Sequence, residues 1–419
     1  MIKTLGDFGV NLHKAQLKNG SNVFLFQRKG MPIYIRTIFF AGSRFDAIPG
    51  VAHFLEHMLL AGTKKFPKKN LIAEHIQRVG GDFGASTSPN SLRINIEIPE
   101  ASDLSVGIEV LNEIINESLF DPTTIENERG SIVSEFQSKL SNPKEYVNEV
   151  SRRLSLQSLA AGQSTLGGID NIQKISVDNL LGHKNRFLTS GRVAFIVSGG
   201  VEPEELLNTL EQVALPISER FEIAEKLPIT NNQTMEVVQY PGTKELQVVF
   251  SCRTSIENYK EYCALKVLND LIGNGRGSRL ITRLRYENGL VYNISSSIIE
   301  SPDWGIFSIK LSCDKNNFQK VKEIIFEEFE SLIKNGVSES KLEDTKTKIS
   351  KGSVRHSQTS ESWVDSHETQ SLFYPENLKT LADYIETVNS ITNNDLQEVI
   401  NKYLKRENFV IAICGDYLE

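Results

Sequence analysis

The sequence predicts an α+β protein built from two homologous sheet-plus-helices domains in tandem, and three observations carry that prediction. First, a shift of 209 residues lays Leu71-Ile72 on Leu280-Ile281 and Gly80 on Gly289. NLIAEHIQRVGG before DFGASTSPNSLRINIEI then matches SRLITRLRYENG before LVYNISSSIIESPDWGIFSIKL, each a helix, a glycine stop and a strand. Second, a shift of 216 lays Leu180, Phe187, Leu188 and Gly199 on Leu396, Tyr403, Leu404 and Gly415. The buried-strand runs RVAFIVSGG and NFVIAICGD follow, and the difference of seven residues is what one loop insertion would produce. Third, periodicity lapses between Pro216 and Gln233, where EKLPITNNQT carries Pro228, Asn231 and Asn232. Domains are therefore expected over 1–215 and 234–419, with 216–233 as the linker.

Composition narrows the class of function. A chain of 419 residues with 39% hydrophobic positions has enough apolar material for more than one core. Lys and Arg number 46 against 53 Asp and Glu, a net charge of −7 that leaves no cationic footprint for nucleic acid or acidic lipid. Cys252, Cys263, Cys313 and Cys414 show no CxxC spacing, so no thiolate zinc site or disulfide framework is expected, and reduced thiols suit a cytoplasmic setting. Asp7, Asn11, His13 and Lys14 interrupt the first residues before an apolar signal core builds up. The longest apolar runs, of six or so residues, suit buried strands and are too short for membrane insertion.

Taken in order, the strand-like run YIRTIFFAGSRFD leads into VAHFLEHMLLAGT, a run of good helix formers that stops at Gly62. His53 and His57 lie four residues apart on one helical face, and Glu56 flanks it. Two imidazoles so presented can hold one zinc ion, with the carboxylate beside it as general base, the HxxEH arrangement of inverted zincins. Phe54, Leu55, Met58 and Leu59 imply that this helix is buried, where an unpartnered histidine is costly.

A catalytic zinc needs a third protein ligand. TTIENERGSIVSEFQSKLSNP reads as a helix that starts after Asp121-Pro122, capped by Thr123 or Thr124, and stops before Pro143. Glu128 and Glu135 lie two turns apart on one face of it, and spacing leaves both as candidates. The 209 shift sets Tyr262, Leu265 and Lys266 on His53, Glu56 and His57, so the second half has no metal motif. His13, His183, His356 and His367, in polar sequence surroundings, and His75 are read as structural or solvated. GNGRGSR, residues 273–279, lacks both the GxGxxG spacing and the Walker lysine and is read as a loop without nucleotide.

These motifs resemble the pitrilysin, insulysin and mitochondrial processing peptidase family of inverted-zincin metallopeptidases, and the likeness extends through the GGIDNIQKIS stretch and the closing strand of each half. The resemblance selects Glu135, 78 residues beyond His57, as the third metal ligand and Glu128 as a residue supporting the site. It makes Arg285 and Tyr292 a pair that reaches across to substrate near the metal, Tyr292 assisting at the oxyanion and Arg285 holding substrate. It makes the strand with Gly84, Ala85 and Thr87 an edge on which substrate peptide is added as a further strand. Gly84 and Ile94 stand where relatives carry an asparagine and a tyrosine, a departure that bears on carbonyl orientation and sequence preference.

What the resemblance implies is a zinc metalloendopeptidase with one zinc per chain and Glu56 as general base, acting on unfolded peptides or leader segments. The length fits the short, two-domain type, half of a clam-shell chamber that a second copy or a related chain closes. The alternative is a non-catalytic structural or partner subunit of a heterodimeric peptidase or larger complex.

Overall fold

The computed structural model describes residues 9–157, 159–224, 226–229 and 234–418. Six strands of the first half, β1 (Asn11–Gln16), β2 (Asn22–Gln27), β3 (Ile33–Phe39), β4 (Asp82–Thr87), β5 (Leu92–Ile98) and β6 (Val193–Gly199), form one sheet. Their order is β1-β2-β6-β3-β5-β4. The second half supplies β7 (Met235–Gln239), β8 (Glu245–Thr254), β9 (Val291–Glu300), β10 (Gly305–Asp314) and β11 (Phe409–Gly415), in the order β7-β11-β8-β10-β9. The two orders superimpose strand for strand once β1 is set aside. Each sheet contains a single parallel pair, β2 with β6 and β7 with β11, and is otherwise antiparallel. Strands β3, β6 and β11 are buried along their whole length, as central strands covered on both faces must be.

The first-half helices are α1 (Val51–Ala61), α2 (Lys69–Gln77), α3 (Leu104–Asn116), α4 (Pro122–Ser141), α5 (Pro143–Leu156), α6 (Ile169–Lys174), α7 (Val177–Phe187) and α8 (Pro203–Leu210). Those of the second half are α9 (Tyr259–Ile272), α10 (Phe318–Asn335), α11 (Glu339–His356), α12 (Ser360–Phe373), α13 (Leu381–Asn389) and α14 (Asn393–Tyr403). The 216-residue shift carries α7 onto α14 and β6 onto β11 without a residue of slack. The α+β duplication expected from the sequence is therefore the fold.

The halves are interlocked. Val147 and Val150 of α5 pack on Val249, Ala412 and Cys414 of the second sheet. In return Trp363 and Val364 of α12 pack on Phe24, Phe26, Ile38 and Ile196 of the first. Each sheet thus lies between helices of its own half and one helix lent by the other. Ion pairs close the seam, with Arg36 2.8 Å from Glu368 and Arg44 3.0 Å from Asp303. Residues 216–224 and 226–229 run without helix or strand, while position 225 and 230–233, with Asn231 and Asn232, lie outside the described residues.

Several local expectations are corrected. Helix α4 is capped by Asp121, whose carboxylate accepts from Thr124 N at 3.0 Å with Pro122 in the first turn, because a carboxylate reaches that N–H more directly than either threonine. Ile281–Glu287 is wound as a π-helix, a form whose period an α-helical pattern does not announce. Ile94 lies on β5 rather than on the strand after the glycine turn, and is buried opposite Ala85. His183 and His367 are not in polar surroundings. His183 is buried against Phe187, and His367 stacks on Trp363 with the rings 8° from parallel. Burial lowers both imidazoles to about 4, so both are neutral packing groups.

A candidate metal centre in the first half

Helix α1 begins at a sharp turn that only glycine permits. Gly50 has φ +103° and a Cβ there would stand 2.8 Å from the carbonyl oxygen of Leu166. The buried carboxylate of Asp46 takes the place of a cap, accepting from Gly50 N at 2.8 Å and from Ala52 N at 2.9 Å. The helix is apolar on nearly every side and is therefore sunk in the core, with Phe54, Leu55, Met58 and Leu59 fully buried. His53 is carried in with them, while Glu56 and His57 are partly exposed at the surface of the site.

Three ligand atoms converge, one each from His53, His57 and Glu135, all within 4.8 Å of one another. Glu135 Oε2 is 3.6 Å from His53 Nε2 and 3.5 Å from His57 Nε2. These separations are long for hydrogen bonds. They match the edge of about 3.4 Å expected between two ligands of a tetrahedral ion bound at roughly 2.0–2.1 Å. Glu128 Oε2 lies 2.8 Å from His57 Nδ1, so the Nδ1 proton donates to it and Nε2 is left with its lone pair toward Glu135. His53 Nδ1 is buried without a partner among the described residues. The donor set, two imidazoles and a carboxylate beside further carboxylates, is the one a zinc ion takes, and the residues fit it.

Electrostatics separate the two imidazoles. Burial, and then the neighbouring charge of His57, hold His53 well below its usual value, so its imidazole is neutral and ready to ligate. His57 is pushed down by burial but raised more by the carboxylates of Glu135, Glu128 and Glu56 around it. Glu135 is lowered, chiefly by His57. Burial raises Glu56, and a hydrogen bond of 2.7 Å donated by Thr87 Oγ1 to Glu56 Oε2 offsets part of that rise.

Thr87 ends β4, and β4 is an edge of the first sheet that runs beside α1. Ala85 pairs with Ile94 of β5, and a Cβ at Gly84 would meet nothing within 4 Å. Arg285 in the π-helix and Tyr292 at the start of β9 are both exposed and make no hydrogen bond to the metal cluster. Three residues at the site were not read from the sequence in these roles: Thr87 as partner of Glu56, Asp46 as anchor of α1, and Arg129. Arg129 is buried over Phe54 at 5.1 Å and donates to the carbonyls of Ile172 and Ile175, tying α4 to α1 and α6. Thr87 and Arg129 act across long sequence separations, whereas Asp46 acts on residues four and six further along; only the adjacency of Arg129 to Glu128 hinted at one of them.

The comparisons with known proteins converge. Residues 34–167 match the model of the insulinase family, peptidase family M16, and residues 174–349 match that of the peptidase M16 inactive domain. An uncharacterised zinc protease of Bacillus subtilis, YmxG, is 23% identical over 376 residues, 89% of this chain and 90% of its own. The human mitochondrial-processing peptidase subunit beta is 25% identical over 399 residues, 90% of this chain and 78% of its own. Among solved structures, a peptidase M16 inactive domain from Pseudomonas fluorescens aligns with TM-score 0.89 at 19% identity, covering 97% of this chain and 98% of its own. A Helicobacter pylori protease aligns with TM-score 0.86 at 19% identity, covering 97% and 99%. With both domain models matched in order along one duplicated chain, the protein belongs to the insulinase family of peptidases, M16.

Proposed function

We propose that this chain is a zinc metalloendopeptidase acting on unfolded peptides or leader segments. The observation that carries the reading is the convergence of His53, His57 and Glu135 with, on the same helix, a carboxylate, Glu56, that makes no ion pair with any described residue. His53, His57 and Glu135 would hold one zinc ion per chain, with Glu128 fixing the tautomer of His57. When bound, zinc supplies Lewis acidity, polarising a peptide carbonyl and lowering the pKa of water. Glu56 takes the proton from the attacking water and passes it to the leaving amine, and Thr87 aims the Glu56 carboxylate.

Backbone groups of Gly84 and Ala85 on the β4 edge pair with the substrate as an added strand, a mode that demands an extended and therefore unfolded peptide. Arg285 and Tyr292 hold the substrate backbone and the oxyanion once a chamber closes. One chain forms half of that clam shell, and a second copy or a related chain forms the other half. The name of the human relative, a peptidase subunit, supports a heteromeric partner as much as a homodimer. We assign the protein to the cytoplasm. No helix among the described residues is long and apolar enough to cross a membrane.

The test is digestion of a mixed peptide library, with the same sequences embedded in folded proteins as a control. Cleavage confined to the unfolded peptides, stopped by a chelator, supports the reading. A chain that binds zinc yet cleaves nothing, alone or with a related chain, favours a structural or partner subunit.

A further inference from the structure

A cavity of about 770 Å³, apart from the metal centre, lies between α9, the end of β9, α12 and α13. It opens beside the second-half counterpart of the histidine helix. Tyr262 and Lys266, which the 209 shift sets on His53 and His57, both line it. Glu300, at the end of β9, lines it too. Neither Lys266 nor Glu300 makes a hydrogen bond or an ion pair with any described residue; their charges act on one another, and the Lys266 ammonium lies 5.2 Å from the centre of the Tyr262 ring. Burial lowers the Lys266 ammonium and raises the Glu300 carboxyl; Lys266 and Lys226 together only partly offset the cost at Glu300, as Glu300 and Asp270 do at Lys266. The hydroxyls of Tyr262, Tyr374 and Tyr384 in the same wall also lack hydrogen-bond partners among the described residues.

Opposite charges too far apart to pair, facing one tyrosine-lined space, select for a ligand that carries the complementary charges. A simple anion would meet Glu300, and a simple cation would meet Lys266. A zwitterion satisfies both, and the aromatic walls favour a ring between them. The volume is within the usual range for a small-molecule site. We propose that this cavity is a second binding site, for a free amino acid or short peptide with an aromatic side chain and both termini unblocked. The ligand carboxylate meets Lys266 and its ammonium meets Glu300. The site does not depend on the metal centre or on peptidase activity.

The test is calorimetric titration of the full chain, stripped of metal by a chelator, with the dipeptide Ala-Phe at neutral pH. Saturable binding at one site is expected, weakened about tenfold or more by acetylating the amine or amidating the carboxylate. Lys266→Met and Glu300→Gln each weaken it by a similar factor, whereas Lys266→Arg keeps it within about threefold. Circular dichroism checks that each variant is folded. Should Lys266→Met unfold, Glu300→Gln and the blocked dipeptides decide the matter. The proposal is overturned if Ala-Phe does not bind, if blocked and free forms bind alike, or if folded Lys266 and Glu300 variants bind as wild type does. Loss of binding in His53→Ala would place the dipeptide at the metal centre and overturn it equally.

Discussion

His57 offers one nitrogen to each of two glutamates, and that division makes different predictions for the two carboxylates. Glu128, at 2.8 Å from Nδ1, would in the proposed site orient the ring without being a ligand. Glu128→Gln keeps an acceptor with less charge, and zinc affinity should fall by about 10–100-fold, read by competition with a chromophoric chelator. Thr87 makes its contact with Glu56, so Thr87→Val should leave zinc content unchanged and lower peptide hydrolysis about tenfold, with Thr87→Ser restoring it. The histidine pair was legible because helical spacing is local. Glu128 and Glu135 were equivalent by spacing, since both face one way. What separates them is which nitrogen of a ring on another helix each one meets, a tertiary fact. Thr87 was read only as part of a substrate edge, because its contact with Glu56 spans 31 residues of sequence.

Among the elements, α12 does the most unexpected work. Its His367 lies between Phe26 and Trp363, donates Nδ1–H to the carbonyl of Trp363 at 2.7 Å, and is lowered by burial from 6.5 to about 4. Between those values the unfolded chain binds a proton that the folded chain refuses. Stability from this residue is therefore complete above about pH 6.5 and is lost as pH falls toward 4, by up to roughly 3 kcal/mol. Urea unfolding followed from pH 7 to pH 5 should show a steeper loss in wild type than in His367→Phe. Equal slopes would remove the buried neutral histidine from the explanation. Helices and strands with strong period were legible, and the match of α7–β6 to α14–β11 shows how well a duplicated pattern fixes register. The π-helix at Ile281–Glu287 was not, because its wider turn comes from packing rather than from spacing.

At the scale of the whole molecule, the two halves share their outer layers. Without α12 the first sheet would expose Phe24, Phe26, Ile38 and Ile196, an apolar face that a soluble domain does not leave bare. Residues 1–224 produced alone should consequently bind a hydrophobic dye and unfold without a cooperative transition, and adding the second half in trans should reverse both. Duplication was visible in the sequence. The exchange of α5 and α12 was not, since an amphipathic helix reveals that it has an apolar face but not which sheet that face will cover.

The central claim is that one half of this duplicated chain holds a hydrolytic metal and the other does not. Zinc content and peptide hydrolysis measured together on wild type, Glu56→Gln and Glu135→Ala test it most directly. One zinc per chain is expected in wild type and in Glu56→Gln, hydrolysis in wild type only, and neither in Glu135→Ala. Full hydrolysis by Glu56→Gln, or undiminished zinc in Glu135→Ala, would contradict the assignment of base and ligand.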